Sequence, residues 1–223
     1  MSQKIVVNEK EITIYPAVEK DQPLILLNNF SGDGKSIRDE LDKLNAPDMN
    51  FVSIGNLNWD HEMSPWYCPA LSADDTPCTG GADEFLPILT EKILPAVLEN
   101  LQGTPKFIGL AGYSLAGLFA IYATYHTEIF ERVASMSGSL WFPDFVEYIE
   151  QHKMKRVPEK FYISLGDREA KTRNKILQTV QENTEKIVAY YQSQSIPVEF
   201  ELNPGNHYKN PALRTAKGII AIF

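Results

Sequence analysis

The chain has 223 residues, 43% hydrophobic and 22% charged, an ordinary balance for a globular domain. Its formal net charge is −8, from 21 Lys and Arg against 29 Asp and Glu, with no basic patch. A nucleic-acid partner is therefore not expected. No apolar run reaches the length of a membrane span, and the first sixteen residues read as strand rather than as a leader, so no membrane association and a cytoplasmic single domain over residues 1–223 are expected.

In chain order, residues 4–7 and 11–15 predict a short antiparallel pair around a polar turn. Residues 24–27, LILL, are all apolar, as in a strand buried on both faces. An Asn- and Gly-rich loop follows at 28–34, then a helix over 36–44 and a strand over 50–54. Residues 55–81 predict a long irregular loop carrying Trp59, Asp60, His61, Trp66, Tyr67 and both cysteines, Cys68 and Cys78. Loops of that length inside a domain are usually functional or disordered, and so many aromatic side chains argue for function. Reduced cysteines are expected, with disulfide pairing left open, and two cysteines without a nearby histidine pair do not suggest a metal site.

A helix is predicted over 83–101, with Pro87 in its first turn and Pro95 loosening or kinking it. The apolar run 106–111 is a strand that leads into a second helix. Strands follow at 132–136, 160–165 and 197–203, separated by a short helix over 142–151 and a long amphipathic one over 172–193. A helix from Pro211 closes the chain. Strands alternating with helices imply a mostly parallel sheet with helices on both faces, an α/β fold. Sites in such sheets form at the carboxyl ends of strands. The loops at 28–34, 55–81, 112–115, 137–141, 166–171 and 204–210 all leave carboxyl ends.

The stretch Gly112-Tyr113-Ser114-Leu115-Ala116-Gly117 joins the central strand to its helix. A serine between small residues two before and two after, on a strand-to-helix turn, has the layout of a nucleophile elbow. Ala116 stands where glycine is usual, the smallest departure available. Such a turn lifts the hydroxyl out of the sheet and leaves the Leu115 N–H as one half of an oxyanion hole. The second donor is expected from Asn29 or Phe30, after the LILL strand.

A serine hydroxyl needs a base. Of His61, His126, His152 and His207, only His207 stands after the last strand, where the order serine, acid, histidine places it. His61 is the outsider, and His126 and His152 suit solvated surface roles. The loop after strand 160–165 offers Asp167 and Glu169. Glu169 is favoured as the acid by its position three after Gly166, and Asp167 is the alternative, better suited to a turn. Trp59, Trp66, Tyr113 and Trp141 are candidates for the pocket wall, against the alternative that such aromatics pack loops onto the body.

The segments GGADEFLPILTEKILPAV (80–97), GLAGYSLAGLFAIYA (109–123), FERVASMSGSLWF (130–142), SLGDREAKTRN (164–174) and PGNHY (204–208) carry a resemblance. The chain resembles the putative esterase family of α/β-hydrolases, which holds esterase D-like and enterochelin esterase-like proteins. The resemblance implies an α/β-hydrolase fold and ester hydrolysis through an acyl-enzyme. It implies Ser114 as nucleophile, His207 as base and an acid within residues 166–169. No cofactor or metal and a small-molecule ester substrate are expected. The family spans siderophore esters, S-acyl glutathione, feruloyl sugars and acyl transfer, so acyltransferase and thioesterase chemistry on the same residues stay open, as does a hydrolase-like binding module. The short linker between strands 132–136 and 160–165 leaves no room for an inserted lid domain.

Overall fold

In the computed structural model, which describes residues 2–223, β1 (Gln3–Val7) and β2 (Lys10–Tyr15) pair antiparallel. Asn8 and Glu9 between them both take positive φ, 49° and 66°, the left-handed pair that a tight hairpin turn matched to strand twist requires. β3 (Leu24–Asn28), α1 (Lys35–Lys43) and β4 (Asn50–Gly55) follow. Then come α2 (Trp59–Glu62), β5 (Tyr67–Cys68), β6 (Cys78–Thr79), α3 (Ala82–Pro87), α4 (Leu94–Leu98), β7 (Ile108–Tyr113) and α5 (Leu115–His126). The rest is β8 (Arg132–Met136), α6 (Phe145–Gln151), β9 (Lys160–Gly166), α7 (Val180–Ser193), β10 (Val198–Asn203) and α8 (Pro211–Ala221).

Eight strands form one sheet in the order β1-β2-β4-β3-β7-β8-β9-β10, parallel from β4 to β10. LILL explains its two-sided burial. Leu24 and Leu26 pack with α5 and its neighbours on one face, and Ile25 and Leu27 pack against α1 and α8 on the other. α5 runs through the middle with every residue from Leu115 to Tyr125 buried, so it carries no polar stripe. This is the α/β-hydrolase arrangement, and between β8 and β9 the chain makes only α6.

Three predicted elements differ in detail. The helix expected over 83–101 is divided by a π-helical stretch, Ile88–Ile93, that ends just before Pro95. A proline ring collides with the carbonyl four residues back, and a wider turn relieves that collision. Pro87 lies at the end of α3, not in its first turn. α6 starts at Phe145, because the residue before Pro143 disfavours helix and Asp144 takes φ 61°. α7 starts at Val180: the Asn174 side-chain oxygen accepts from the N–H groups of Ile176 and Leu177, at 2.9 and 3.3 Å, and holds the chain in a turn.

The segment 56–81 is more ordered than expected. It contains α2 (Trp59–Glu62) and a two-stranded ribbon of β5 (Tyr67–Cys68) and β6 (Cys78–Thr79). Lys10 of β2 and Glu62 of α2 form a buried ion pair at 2.7 Å that anchors the segment to the sheet. Cys68 and Cys78 stand directly opposite each other in the ribbon and are both free. Burial pushes both thiols up, Cys78 to about 12, so neither is a ready thiolate.

Candidate active site

β7 ends and α5 begins with a single residue between them. That residue, Ser114, takes φ 60° and ψ −126°, a conformation that costs a non-glycine residue about 1–3 kcal/mol. Small neighbours make the turn sterically possible. A Cβ on Gly112 would lie 2.1 Å from the Ala116 carbonyl oxygen, and one on Gly117 would lie 2.9 Å from the Gly138 Cα. Ala116 itself is accommodated, fully buried in the first turn of α5. Gly112→Ala is expected to destabilise by more than about 3 kcal/mol, because the colliding atoms are backbone and cannot rotate away. Thermal unfolding should show a midpoint roughly 6–12 °C lower; an unchanged midpoint would contradict this account of the elbow.

Three loops at the carboxyl edge of the sheet bring Ser114, His207 and Glu169 together. His207 Nε2 lies 3.1 Å from Ser114 Oγ, and His207 Nδ1 lies 2.7 Å from Glu169 Oε2. The Tyr113 hydroxyl donates to the His207 carbonyl at 2.6 Å and fastens the histidine loop to the central strand. Burial pushes the Tyr113 pKa up, which keeps that hydroxyl a donor.

The second oxygen of Glu169 is surrounded. Oε1 accepts from the Gly166 N–H at 2.7 Å, the Ser137 hydroxyl at 2.7 Å and Arg214 Nη1 at 3.1 Å. Burial pulls the Glu169 pKa upward, but hydrogen bonds from His207, Ser137 and the Gly166 N–H outweigh it and hold the carboxyl below its ordinary value. Asp167 is exposed and does something else: its Oδ1 accepts from the Gly205 N–H at 2.7 Å, joining the two loops, and it makes no hydrogen bond to His207.

Leu115 is the first residue of α5, where backbone N–H groups have no partner within the helix and the helix dipole favours negative charge. Asn29 is corrected as a second donor, because its N–H is spent on the Ile54 carbonyl at 2.9 Å. The Phe30 N–H has no acceptor among the described residues.

Two clefts, of about 590 and 430 Å³, meet at Ser114 and His207 and share Trp59 and Tyr208. Trp141 and ribbon-segment residues such as Cys68, Leu71 and Asp75 line the larger, and Tyr113 and Phe30 line the smaller. Trp66 is corrected, since it borders neither. Its indole N–H donates to the Pro143 carbonyl at 3.0 Å and its ring packs among Tyr122, Phe142, Phe145 and Tyr148, pinning the segment to the body.

The other histidines lie apart from this site. His61 bonds the Thr79 hydroxyl at 2.7 Å inside its own segment. His126 is exposed at the surface, as expected, but its ring lies against the Tyr122 ring at 4.1 Å, and partial burial lowers its pKa. His152 stacks on Tyr148 at 4.2 Å. Sequence reasoning missed Ser137 and Arg214. Arg214 left a signal, because it falls one turn before buried Gly218 on the inward face of α8. Among the described residues no group of three or more His, Cys, Asp or Glu is placed to hold a metal ion, and no helix is long and apolar enough to cross a membrane.

The doubly covered sheet, with the elbow at its carboxyl edge, defines an α/β-hydrolase. The family model described as "Putative esterase" matches residues 34–211, most of the chain, and the chain belongs to that family. The uncharacterized protein YbbA of Bacillus subtilis (strain 168) is 26% identical over 144 residues, 63% of this chain and 58% of that relative, so the match spans less than two thirds of the relative's length. An IroE-like serine hydrolase of Shewanella oneidensis superposes with TM-score 0.81 at 17% identity, over 98% of this chain and 79% of that one. The siderophore hydrolase EstB of Aspergillus nidulans gives 0.74 at 16%, over 98% and 92%. The enterobactin esterase FES of Shigella flexneri gives 0.71 at 19%, over 99% and 58%. At these identities the structural likeness is one of fold.

Proposed function

We propose that this chain hydrolyses small-molecule carboxylic esters through an acyl-enzyme on Ser114. The observation that carries the reading is the unbroken hydrogen-bond chain from Ser114 Oγ through His207 to Glu169, at 3.1 and 2.7 Å. In the reading, His207 Nε2 takes the hydroxyl proton as Oγ attacks the ester carbonyl. The Leu115 N–H and the Phe30 N–H receive the negative charge that develops on the carbonyl oxygen. Collapse expels the alcohol, which leaves with the proton from Nε2, and a water activated by the same nitrogen then releases the acid and restores Ser114. Glu169 holds the imidazole with Nδ1 protonated and Nε2 free to accept, and stabilises the imidazolium. These steps call on no cofactor.

A fluorophosphonate probe is expected to label one residue, Ser114, identified by peptide mass, and to lose its target when p-nitrophenyl butyrate is present in excess. A folded protein that turns over the ester but takes the label elsewhere, or takes none, would overturn the reading.

Acyl transfer is the second reading, favoured by the two clefts that meet at Ser114: one can hold the acyl group while the other admits an acceptor alcohol. Product analysis with added alcohols separates it from hydrolysis. One structural neighbour, EstB, is named a siderophore hydrolase, so a siderophore ester belongs in the substrate panel beside simple aryl and alkyl esters.

A further inference from the structure

Arg214 is 3% exposed and the Glu169 side chain 4%. Taking a guanidinium out of water is costly unless its donors are used, so its partners show what holds it there. Nη1 lies 3.1 Å from Glu169 Oε1, 3.2 Å from Ser137 Oγ and 3.4 Å from Tyr113 Oη, and Nη2 lies 3.0 Å from the Pro204 carbonyl. Each partner holds either the acid or the base. Ser137 also donates to Glu169, Tyr113 also donates to the His207 carbonyl, and Pro204 opens the turn that carries His207.

We propose that Arg214 is a positioning residue that acts through Glu169. Its guanidinium fixes one carboxylate oxygen so that only the other faces His207, and its charge limits how tightly the acid holds the protonated imidazole. The proposal rests on the Ser114–His207–Glu169 reading.

Two physical arguments support it. Glutamate has one more rotatable side-chain bond than aspartate, so a carboxylate on this longer stem needs donors from fixed directions to stay in line. The Gly166 N–H, the Ser137 hydroxyl and Arg214 supply three on Oε1. The second argument is charge. With Arg214 in place, part of the Glu169 charge is neutralised from behind. Without it, the carboxylate faces only neutral donors and stabilises the imidazolium more, in a site where water screens little. Other charged groups do not replace it. Asp167, Arg168 and Lys171 are exposed at the rim of the Glu169 loop, and Asp60 and Asp75 lie across the larger cleft. Tyr113 and Tyr208 flank the His207 ring, and Lys217, one turn along α8, is paired with Glu201 at 2.6 Å.

The test measures kcat and KM for p-nitrophenyl butyrate across pH, with melting midpoints, for wild type, Arg214→Gln, Arg214→Lys, Glu169→Gln and the Arg214→Gln/Glu169→Gln double variant. Arg214→Gln should lower kcat on the order of tenfold with little change in KM, and move the acid limb of kcat/KM to higher pH. Arg214→Lys keeps the charge, so its limb should stay near that of the wild type while kcat falls, because an ammonium cannot span the same partners. In the Glu169→Gln background, Arg214→Gln should change kcat/KM by less than about twofold. An unmoved limb in Arg214→Gln, or the full loss repeated in the double variant, overturns the proposal. If Arg214→Gln does not fold, Arg214→Lys with wild-type kcat does the same. Ser114→Ala is run alongside: if it is inactive, a negative result counts against Arg214 alone; if it is active, the underlying site reading has failed.

Discussion

Ser114→Ala is expected to lower turnover of p-nitrophenyl acetate and butyrate by at least about a thousandfold while leaving the protein folded. The hydroxyl oxygen is the atom that would form the new bond, and nothing adjacent replaces it. The nearest hydroxyl, Ser139 Oγ at 3.4 Å from Ser114 Oγ, makes no hydrogen bond to His207. The fold should survive. Alanine keeps the Cβ and the backbone angles of the turn, and the variant loses the two part-buried hydrogen bonds of Ser114 Oγ, to His207 Nε2 and Ser139 Oγ, about 1 kcal/mol each and so roughly 4–8 °C in melting midpoint. Steady-state rates and thermal unfolding on the same preparation check both halves. Turnover within tenfold of the wild type would sink the acyl-enzyme. A collapse of the melting midpoint would mean the serine is held for stability rather than for chemistry.

Glu169→Gln is expected to lower kcat/KM roughly 10²- to 10⁴-fold, and Asp167→Asn by no more than about threefold. The two acids are two residues apart, but only Glu169 reaches the imidazole. An amide in its place cannot stabilise the imidazolium, and can present an N–H that turns the ring to the wrong tautomer. Asp167→Asn keeps an oxygen for the Gly205 N–H. The pH behaviour separates them further. Glu169 is held below its ordinary value in the folded protein, so it stays ionised through the weakly acid range and the acid limb of the rate does not report its titration. The same shift carries a stability sign. A carboxyl whose folded value is lowered adds stability above its unfolded value and loses it as pH falls through the folded one. The gap in melting midpoint between wild type and Glu169→Gln should therefore narrow toward acid pH. Equal losses from both substitutions would show that the loop, rather than one carboxylate, is what matters.

Much of this protein was legible before folding. LILL announced a strand covered on both faces, and the alternation of strands and helices announced the parallel sheet, because burial periodicity depends only on local pattern. Gly112, Ser114 and Gly117 announced the elbow, because a turn that tight excludes side chains at known offsets. His207 followed from chain order. The misses share a cause: they depend on what a group meets after folding. Asn29 and Phe30 were equal candidates until the Asn29 N–H was drawn into the sheet by Ile54. Trp66 and Trp59 were equal candidates for a pocket wall. The aromatic bed of α6 took the first, while the second stayed at the junction of the clefts. Pro95 announced a disturbance, but its form as a π-helical turn was a compromise between the helix and its packing.

The sequence by itself determined the fold class, the strained serine and the order of serine, acid and histidine. These are properties of spacing, and spacing is covalent. Only the tertiary structure decided that Glu169 rather than Asp167 meets His207, that Ser137 and Arg214 hold it, and that two clefts converge on Ser114. Those contacts join residues 32, 38 and 45 positions apart. Hydrogen-bond geometry over such separations is set by how β8, β9 and α8 pack on one another, and no local pattern encodes it.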